Sequence, residues 1–390
     1  MRNHSFCPGI VTLLSSQNKL LRRRKIGLVS HPAAVDVTGT SSVDLIMGSS
    51  GLKLEAVFGP EHGFFGTAAA GETVGRTKHP FRDIPVYSLY GNHRKPDASM
   101  LSNLDVIVFD LQDIGARPYT YVSTLRLVLE AAAEHGKPVI VADRPIPLPR
   151  VVDGPVLNPR FESFVASVDV PMSYGMTPGE TALWLKTSLN LDLDLTISKM
   201  KAYNRQPARG PDWPPWIPPS PGIASWESAY CYTATVCFEA LPAIDHGRGT
   251  GLPFQIFGAP WMKSLDVCGS LSALKLPGVR FHPHSYLGRS QAMSGLALNG
   301  VRITVTDPDI FRPVTTGISI ISFLQDIYGL RRIWKAPGTR PEFFDKLFGT
   351  NAVREALMDR ERPEVIAGGW KRDLIQFEQS RKTCLLYDLK

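Results

Sequence analysis

Leu54-Glu55-Ala56-Val57-Phe58 runs directly into Gly59-Pro60-Glu61-His62-Gly63. The first five residues read as a strand. The next five form a Gly/Pro-bounded turn that displays a carboxylate beside an imidazole. The same arrangement recurs along the first half of the chain. Ile26-Gly27-Leu28-Val29 runs into Ser30-His31-Pro32, and Pro85-Val86-Tyr87-Ser88-Leu89 into Tyr90-Gly91. Asp105-Val106-Ile107-Val108-Phe109 runs into Asp110-Leu111-Gln112-Asp113-Ile114-Gly115-Ala116-Arg117, and Pro138-Val139-Ile140-Val141 into Ala142-Asp143-Arg144-Pro145. Short β-branched apolar runs mark strands buried on both faces. Helical stretches lie between them, the clearest from Thr124 to His135, stopped by Gly136-Lys137-Pro138. This alternation predicts βαβ units and a mostly parallel sheet. Such sheets bind ligands outside the carboxyl ends of their strands, where the Glu61 turn is expected.

At 390 residues the chain exceeds one ordinary core, and two domains are expected. The composition is 43% hydrophobic and 20% charged, that of a globular protein, with no apolar run long enough to span a bilayer. Met1 to Cys7 leads into only a short apolar patch, Ile10 to Leu14, and no export signal is evident, so a cytoplasmic location is expected. Five cysteines without a Cys-x-x-Cys pair suggest neither a disulfide framework nor structural zinc. The net charge of +7 is mild and suits an anionic substrate. Its densest run, Arg22-Arg23-Arg24-Lys25, lacks the interleaved aromatics of a nucleic-acid surface. Neither a nucleic-acid nor a membrane partner is expected.

The βα alternation is expected to end near Gly154. Met176-Thr177-Pro178-Gly179-Glu180 then reads as a helix start, with Thr177 as N-cap, Pro178 first and Glu180 closing a capping box. A proline-dense stretch (Pro207, Pro211, Pro214, Pro215, Pro218, Pro219, Pro221) carries Trp213, Trp216 and Trp226 nearby. It reads as a rigid connector whose Trp side chains pack on their neighbours. The expected organisation is a catalytic domain over residues 1–205, a connector over 206–229 and an α+β domain over 230–390. The last should hold strands near Gly278 to Phe281 and Val301 to Thr306, and a helix from Thr315 to Ile327.

Chemistry-bearing residues fall in four clusters: Glu61-His62; Asp110, Gln112, Asp113, Arg117 and Tyr119; Tyr174 with Glu180; and Glu239 with Asp245-His246-Gly247-Arg248-Gly249. Each has a structural reading beside the functional one. Glu180 can be only a helix cap, Asp143-Arg144 an ion pair that orients a loop, and Arg117 and Arg248 salt-bridge partners rather than carboxylate readers. No Gly-x-Gly-x-x-Gly, phosphate-loop or nucleophile-elbow motif occurs, and no dissociable cofactor is called for. His31, His62, Asp110 and Asp113 could ligate a metal, but without tight ligand spacing, so a metal-dependent hydrolase stands as an alternative. The remaining tool set is acid/base carboxylate chemistry on a polar substrate, as in glycoside hydrolysis.

These stretches, with Ala70-Gly71-Glu72, Tyr119-Thr120-Tyr121, Phe238-Glu239, Gly247-Arg248-Gly249-Thr250, Gly258-Ala259-Pro260-Trp261 and Phe311-Arg312-Pro313-Val314, resemble the NamZ-type exo-β-N-acetylmuramidases, a bacterial glycoside hydrolase family. The resemblance covers nearly the whole chain. It implies a Rossmann-like domain closed by a smaller C-terminal one, and removal of terminal N-acetylmuramic acid from the non-reducing end of peptidoglycan fragments. It carries the catalytic carboxylate over to Glu61 and leaves Glu180 and Asp113 as rivals for a second. His62, Asp113, Arg117, Tyr119, Tyr174, Glu239 and Arg248 are then expected to hold the sugar, Arg117 or Arg248 facing its carboxylate. Asp245-His246 departs from the Ser-Glu usual in the family. A muropeptide-binding protein without catalysis is the other alternative.

Overall fold

A computed structural model describes residues 6–65, 77–78 (backbone only), 83–206 and 213–388. Met1 to Ser5, Ala70-Gly71-Glu72, Pro207 and Pro211 lie outside the described residues. The strands among them are, in chain order, β1 (Lys25–Val29), β2 (Lys53–Gly59), β3 (Thr77–Lys78), β4 (Pro85–Ser88), β5 (Val106–Phe109) and β6 (Val139–Ala142). They continue with β7 (Asp153–Val156), β8 (Pro171–Ser173), β9 (Leu195–Ser198), β10 (Ile256–Ala259), β11 (Val279–Leu287) and β12 (Ala297–Val305).

Seven strands make one sheet in the order β3-β4-β2-β1-β5-β6-β9. Every neighbouring pair is parallel except the short edge pair β3–β4. The chain starts at β1 near the middle, winds outward through β2 and β4, then crosses back to β5, β6 and β9. This is the doubly wound α/β arrangement, and its order reverses between β1 and β5. The expected mostly parallel sheet is therefore present. Burial explains why it could be read: β5 and β6 are buried along their whole length, so both faces demand apolar residues.

One expectation needs correction. The alternation does not stop near Gly154, because β9 adds a sixth parallel strand beside β6. β9 is an edge strand and mostly half-buried, so Leu195-Thr196-Ile197-Ser198 lacks the continuous apolar signal. The helix that starts at Pro178 follows β8, which pairs with β7 in a separate antiparallel ladder.

The C-terminal half is smaller and antiparallel, with the sheet order β10-β12-β11. The helices Trp226–Thr235, Ser264–Ala273 and Pro313–Tyr328 pack around it, and Pro341–Phe348, Ala352–Met358, Pro363–Gly369 and Lys371–Arg381 follow. One apolar cluster runs through both halves, joining Phe109, Leu125 and Met172 to Phe238, Ile318 and Phe344. The tryptophans of the connector pack as expected: Trp213 stacks on Phe6 at 4.3 Å between centroids, and Trp216 lies 4.1 Å from Trp226. No helix among the described residues is long and apolar enough to cross a membrane.

The helices Trp226–Thr235 and Pro313–Tyr328 approach closely at Gly317, where an added Cβ would stand 2.3 Å from the Ala234 carbonyl oxygen. Helix propensity alone favours Ala over Gly by about 1 kcal/mol. The overlap with rigid backbone outweighs that gain. Gly317→Ala is expected to lower stability by about 2 kcal/mol in urea unfolding, and a stabilised variant would show that the two helices are not in contact there.

Candidate active site

Backbone geometry at the end of β2 explains the Gly-Pro-Glu-His-Gly order. A Cβ on Gly59 would meet the Phe64 backbone nitrogen at 2.2 Å, so only glycine lets the chain fold back over this point. The Gly63 N–H donates to the Pro60 carbonyl at 2.9 Å and closes a four-residue turn. His62 takes φ 72° and Gly63 φ 74°. The left-handed region is uncommon for a residue with a Cβ, so the turn holds His62 in a strained conformation. The result is a rigid presentation of Glu61, which is 9% exposed.

Around Glu61 the two sides of the sheet's carboxyl edge converge. Thr120 Oγ1 donates to Glu61 Oε2 at 2.7 Å. Thr120 is the N-cap residue of the helix Tyr121–Glu134, so the carboxylate sits at the positive end of a helix dipole. Tyr90, beyond β4, reaches the same carboxylate. Its phenol is raised above the usual value by burial first, then by the charge and hydrogen bond of Glu61. An aromatic wall starts here. Tyr121 meets Tyr119 at 4.6 Å, Tyr119 meets Tyr232 at 5.7 Å, and Tyr232 meets Phe254 at 4.9 Å. The wall therefore runs from the N-terminal sheet edge to the C-terminal half.

Asp113 lies in the loop after β5, buried, with Oδ2 accepting from the Tyr174 hydroxyl at 2.6 Å. Its Oδ1 has no hydrogen-bond partner among the described residues. Burial raises its pKa to about 6, against the opposing pull of Tyr174 and the Ile114 and Gly115 amides. Glu61, Asp113, Glu239 and Arg248 all act electrostatically on Tyr232, whose phenol is raised mainly by burial. Those four charged groups thus lie within electrostatic range of one side chain. Glu239 accepts from Arg248 Nη2 at 2.5 Å, and Arg248 lies over Phe254 at 5.5 Å. The Asp245 that departs from the family pattern shapes this turn, accepting from the Gly247 amide, the Tyr286 hydroxyl and Ser290.

Other expected site residues are not there. Arg117 is fully buried, and its guanidinium donates to the carbonyls of Pro155, Val170, Leu347 and Phe348. It ties the β5 loop to the C-terminal helices, and its complete burial keeps it from a substrate carboxylate. Glu180 is likewise fully buried: it closes the capping box on Thr177, pairs with Arg205 and accepts from the Leu386 amide at 2.8 Å. Its helix-cap reading prevails over the catalytic one. Arg144 pairs with Asp110 rather than with Asp143. Asp143 instead accepts from Thr177, the Gly179 amide and Tyr387. His31 Nε2 accepts the Gln112 amide proton at 2.9 Å, and burial lowers its pKa to about 3, so this nitrogen is committed to the loop rather than offered to a metal. No three His, Cys, Asp or Glu side chains among the described residues group as a metal site.

Residues 26–227 match the family model for the N-terminal part of exo-beta-N-acetylmuramidase NamZ, and 230–387 match the C-terminal part. This chain belongs to the NamZ exo-beta-N-acetylmuramidase family. Peptidoglycan beta-N-acetylmuramidase NamZ of Bacillus subtilis is a NamZ relative 39% identical over 380 residues, spanning 97% of this chain and 91% of its own. Two crystal structures of DUF1343 family proteins from Bacteroides fragilis share the fold. One has a TM-score of 0.92 at 32% identity, the other 0.77 at 27%, and each comparison covers 98% of this chain and 99% of the other.

Within this NamZ-family chain, the site residues that sequence reasoning left without a role are Tyr90, Thr120, Tyr121 and Tyr232. Thr120 had a local signal, a hydroxyl residue just before a helix that begins at a strand-end loop. Tyr232 had none, since an aromatic on a buried helix reads as core. Glu180→Ala would strand the buried Arg205 charge, and such losses typically cost about 3–5 kcal/mol. A comparable drop in unfolding free energy is expected. Unchanged stability would return Glu180 to the list of catalytic candidates.

Proposed function

We propose that this protein is an exo-acting glycosidase that removes terminal N-acetylmuramic acid from the non-reducing end of peptidoglycan fragments, with Glu61 as its proton-transferring carboxyl group. The observation that carries the reading is the Glu61 carboxylate itself. It is held by a strained turn and by Thr120 at a helix N-terminus, at the mouth of an aromatic wall. Family membership supports the same chemistry.

Hydrolysis needs a proton on the departing oxygen as the C1–O bond breaks, and a water that adds to C1 and gives up a proton. Glu61 supplies the first. Asp113 is the candidate for the second carboxyl, because its Oδ1 lacks a partner while Tyr174 fixes its other oxygen. Tyr119, Tyr121 and Tyr232 offer rings against which the apolar face of a pyranose can pack. His62, Glu239 and Arg248 are the residues proposed to meet the polar groups of the sugar. The lactyl carboxylate gives this substrate a negative charge, which the net +7 of the chain favours.

Glu61→Gln is expected to cut turnover of a chromogenic β-N-acetylmuramide by about a thousandfold, within the range for loss of a general acid/base, while the melting curve stays in place. Near-normal turnover would remove Glu61 from the mechanism, and tight sugar binding with no product would make this a muropeptide-binding protein. The pH profile tests Asp113 separately. With its pKa raised to about 6, Asp113 becomes the anion as pH rises through that value, so turnover should climb there. Asp113→Asn should remove that rise, and a rise that persists in the variant would assign it to another group.

A further inference from the structure

The loop after β4 brings a second charged group to the edge that carries Glu61. Tyr90, whose phenol is raised partly by the neighbouring Glu61, is followed by Arg94 one short loop later. The Arg94 guanidinium carbon lies 4.4 Å from the centroid of the Phe164 ring and 5.8 Å from that of Tyr90, and the two rings are 5.7 Å apart. These contacts hold an otherwise exposed side chain in place. An open cleft of about 700 Å³ begins at this point, lined by Gly91, His93, Arg94, Arg126, Phe164 and Ser167 among others.

The cations of this wall are not equivalent. Lys95 is neutralised by Glu134 at 2.6 Å and Glu130 at 3.8 Å. Arg126 is paired with Glu130 at 2.8 Å and Glu162 at 2.6 Å. His93 stands near Asp97. Among the described residues, Arg94 has no carboxylate within ion-pair range. The other arginines near the site are engaged: Arg117 by backbone carbonyls, Arg144 by Asp110, and Arg248 by Glu239. A guanidinium stacked on aromatic rings keeps its N–H edge open, and that edge matches a carboxylate in two parallel hydrogen bonds.

We propose that Arg94 is the specificity residue that receives the lactyl carboxylate of N-acetylmuramic acid, with Phe164 and Tyr90 fixing the plane of its guanidinium. This rests on the muramidase reading above and adds to it the group that separates N-acetylmuramic acid from N-acetylglucosamine, the same ring without the lactyl ether. Arg94 acts on the substrate side chain and takes no part in proton transfer. Its placement on the Tyr90 loop couples recognition of the acid to the position of the sugar over Glu61.

The test is calorimetric titration of free N-acetylmuramic acid and free N-acetylglucosamine into the wild-type protein, Arg94→Gln and Arg94→Lys, with hydrolysis of the matching chromogenic β-glycosides run alongside. Wild type should prefer the muramic acid sugar. Arg94→Gln should reduce that preference at least tenfold, and Arg94→Lys should retain part of it, since a point charge replaces a two-pronged contact. In hydrolysis the change should fall on KM more than on kcat. A preference unchanged in Arg94→Gln, an equal loss of both sugars, or no preference in the wild type would overturn the proposal. If the wild type binds N-acetylmuramic acid in an Arg94-dependent way but cleaves no β-muramide, the recognition role stands and the hydrolase reading falls.

Discussion

The buried ion pair between Asp110 and Arg144 holds the carboxyl edge of the sheet together. Asp110 follows β5 and Arg144 follows β6, and neither is exposed to solvent. Ser42 donates to the same carboxylate, and Arg144 also donates to the Val35 carbonyl at 2.8 Å. One pair therefore joins the loops after β1, β5 and β6 around the point where the strand order reverses. Two buried charges cost several kcal/mol each to desolvate and are tolerated only when fully partnered, so the pair is better explained by the single geometry it imposes than by net stability. The Asp113 loop and the N-cap at Thr120 are built outward from it.

Over that frame, separate devices fix the groups proposed to react. Glycine and a left-handed histidine aim Glu61 from one side, while a helix N-terminus and Thr120 meet it from the other. Arg117 and the pair Glu180–Arg205 play a corresponding part farther from the chemistry. They fasten the C-terminal helices and the last residues onto the first half, through backbone carbonyls at one end and a buried carboxylate at the other. Several charged residues at strand ends thus serve to position the frame. Burial explains that use: an enclosed charge is tolerated only where most of its donors or acceptors are met internally.

Much of this was legible along the chain. The parallel sheet was, because strands buried on both faces require unbroken apolar runs. The turn at Glu61 was, because glycine, proline and an acid at a strand end have few purely structural uses. The capping box at Thr177 and Glu180 was legible too, and its structural meaning prevailed. The edge strand β9 escaped notice because half-buried strands carry a weaker pattern. The partnership of Arg144 with Asp110 escaped because residues 34 apart in sequence meet only when adjacent strands align.

The amino-acid sequence by itself determined the fold class and the family. Those depend on local periodicity and on short motifs, which survive without coordinates. Tertiary structure alone decided which partner each charged residue takes. Glu61, Asp113, Glu239 and Arg248 all act electrostatically on Tyr232, a residue with no signal of its own, whereas Arg117 and Glu180 are fully buried among internal partners. The physical reason is that a side chain's chemistry depends on its partners and its solvent, and both are set by contacts between segments distant in the chain.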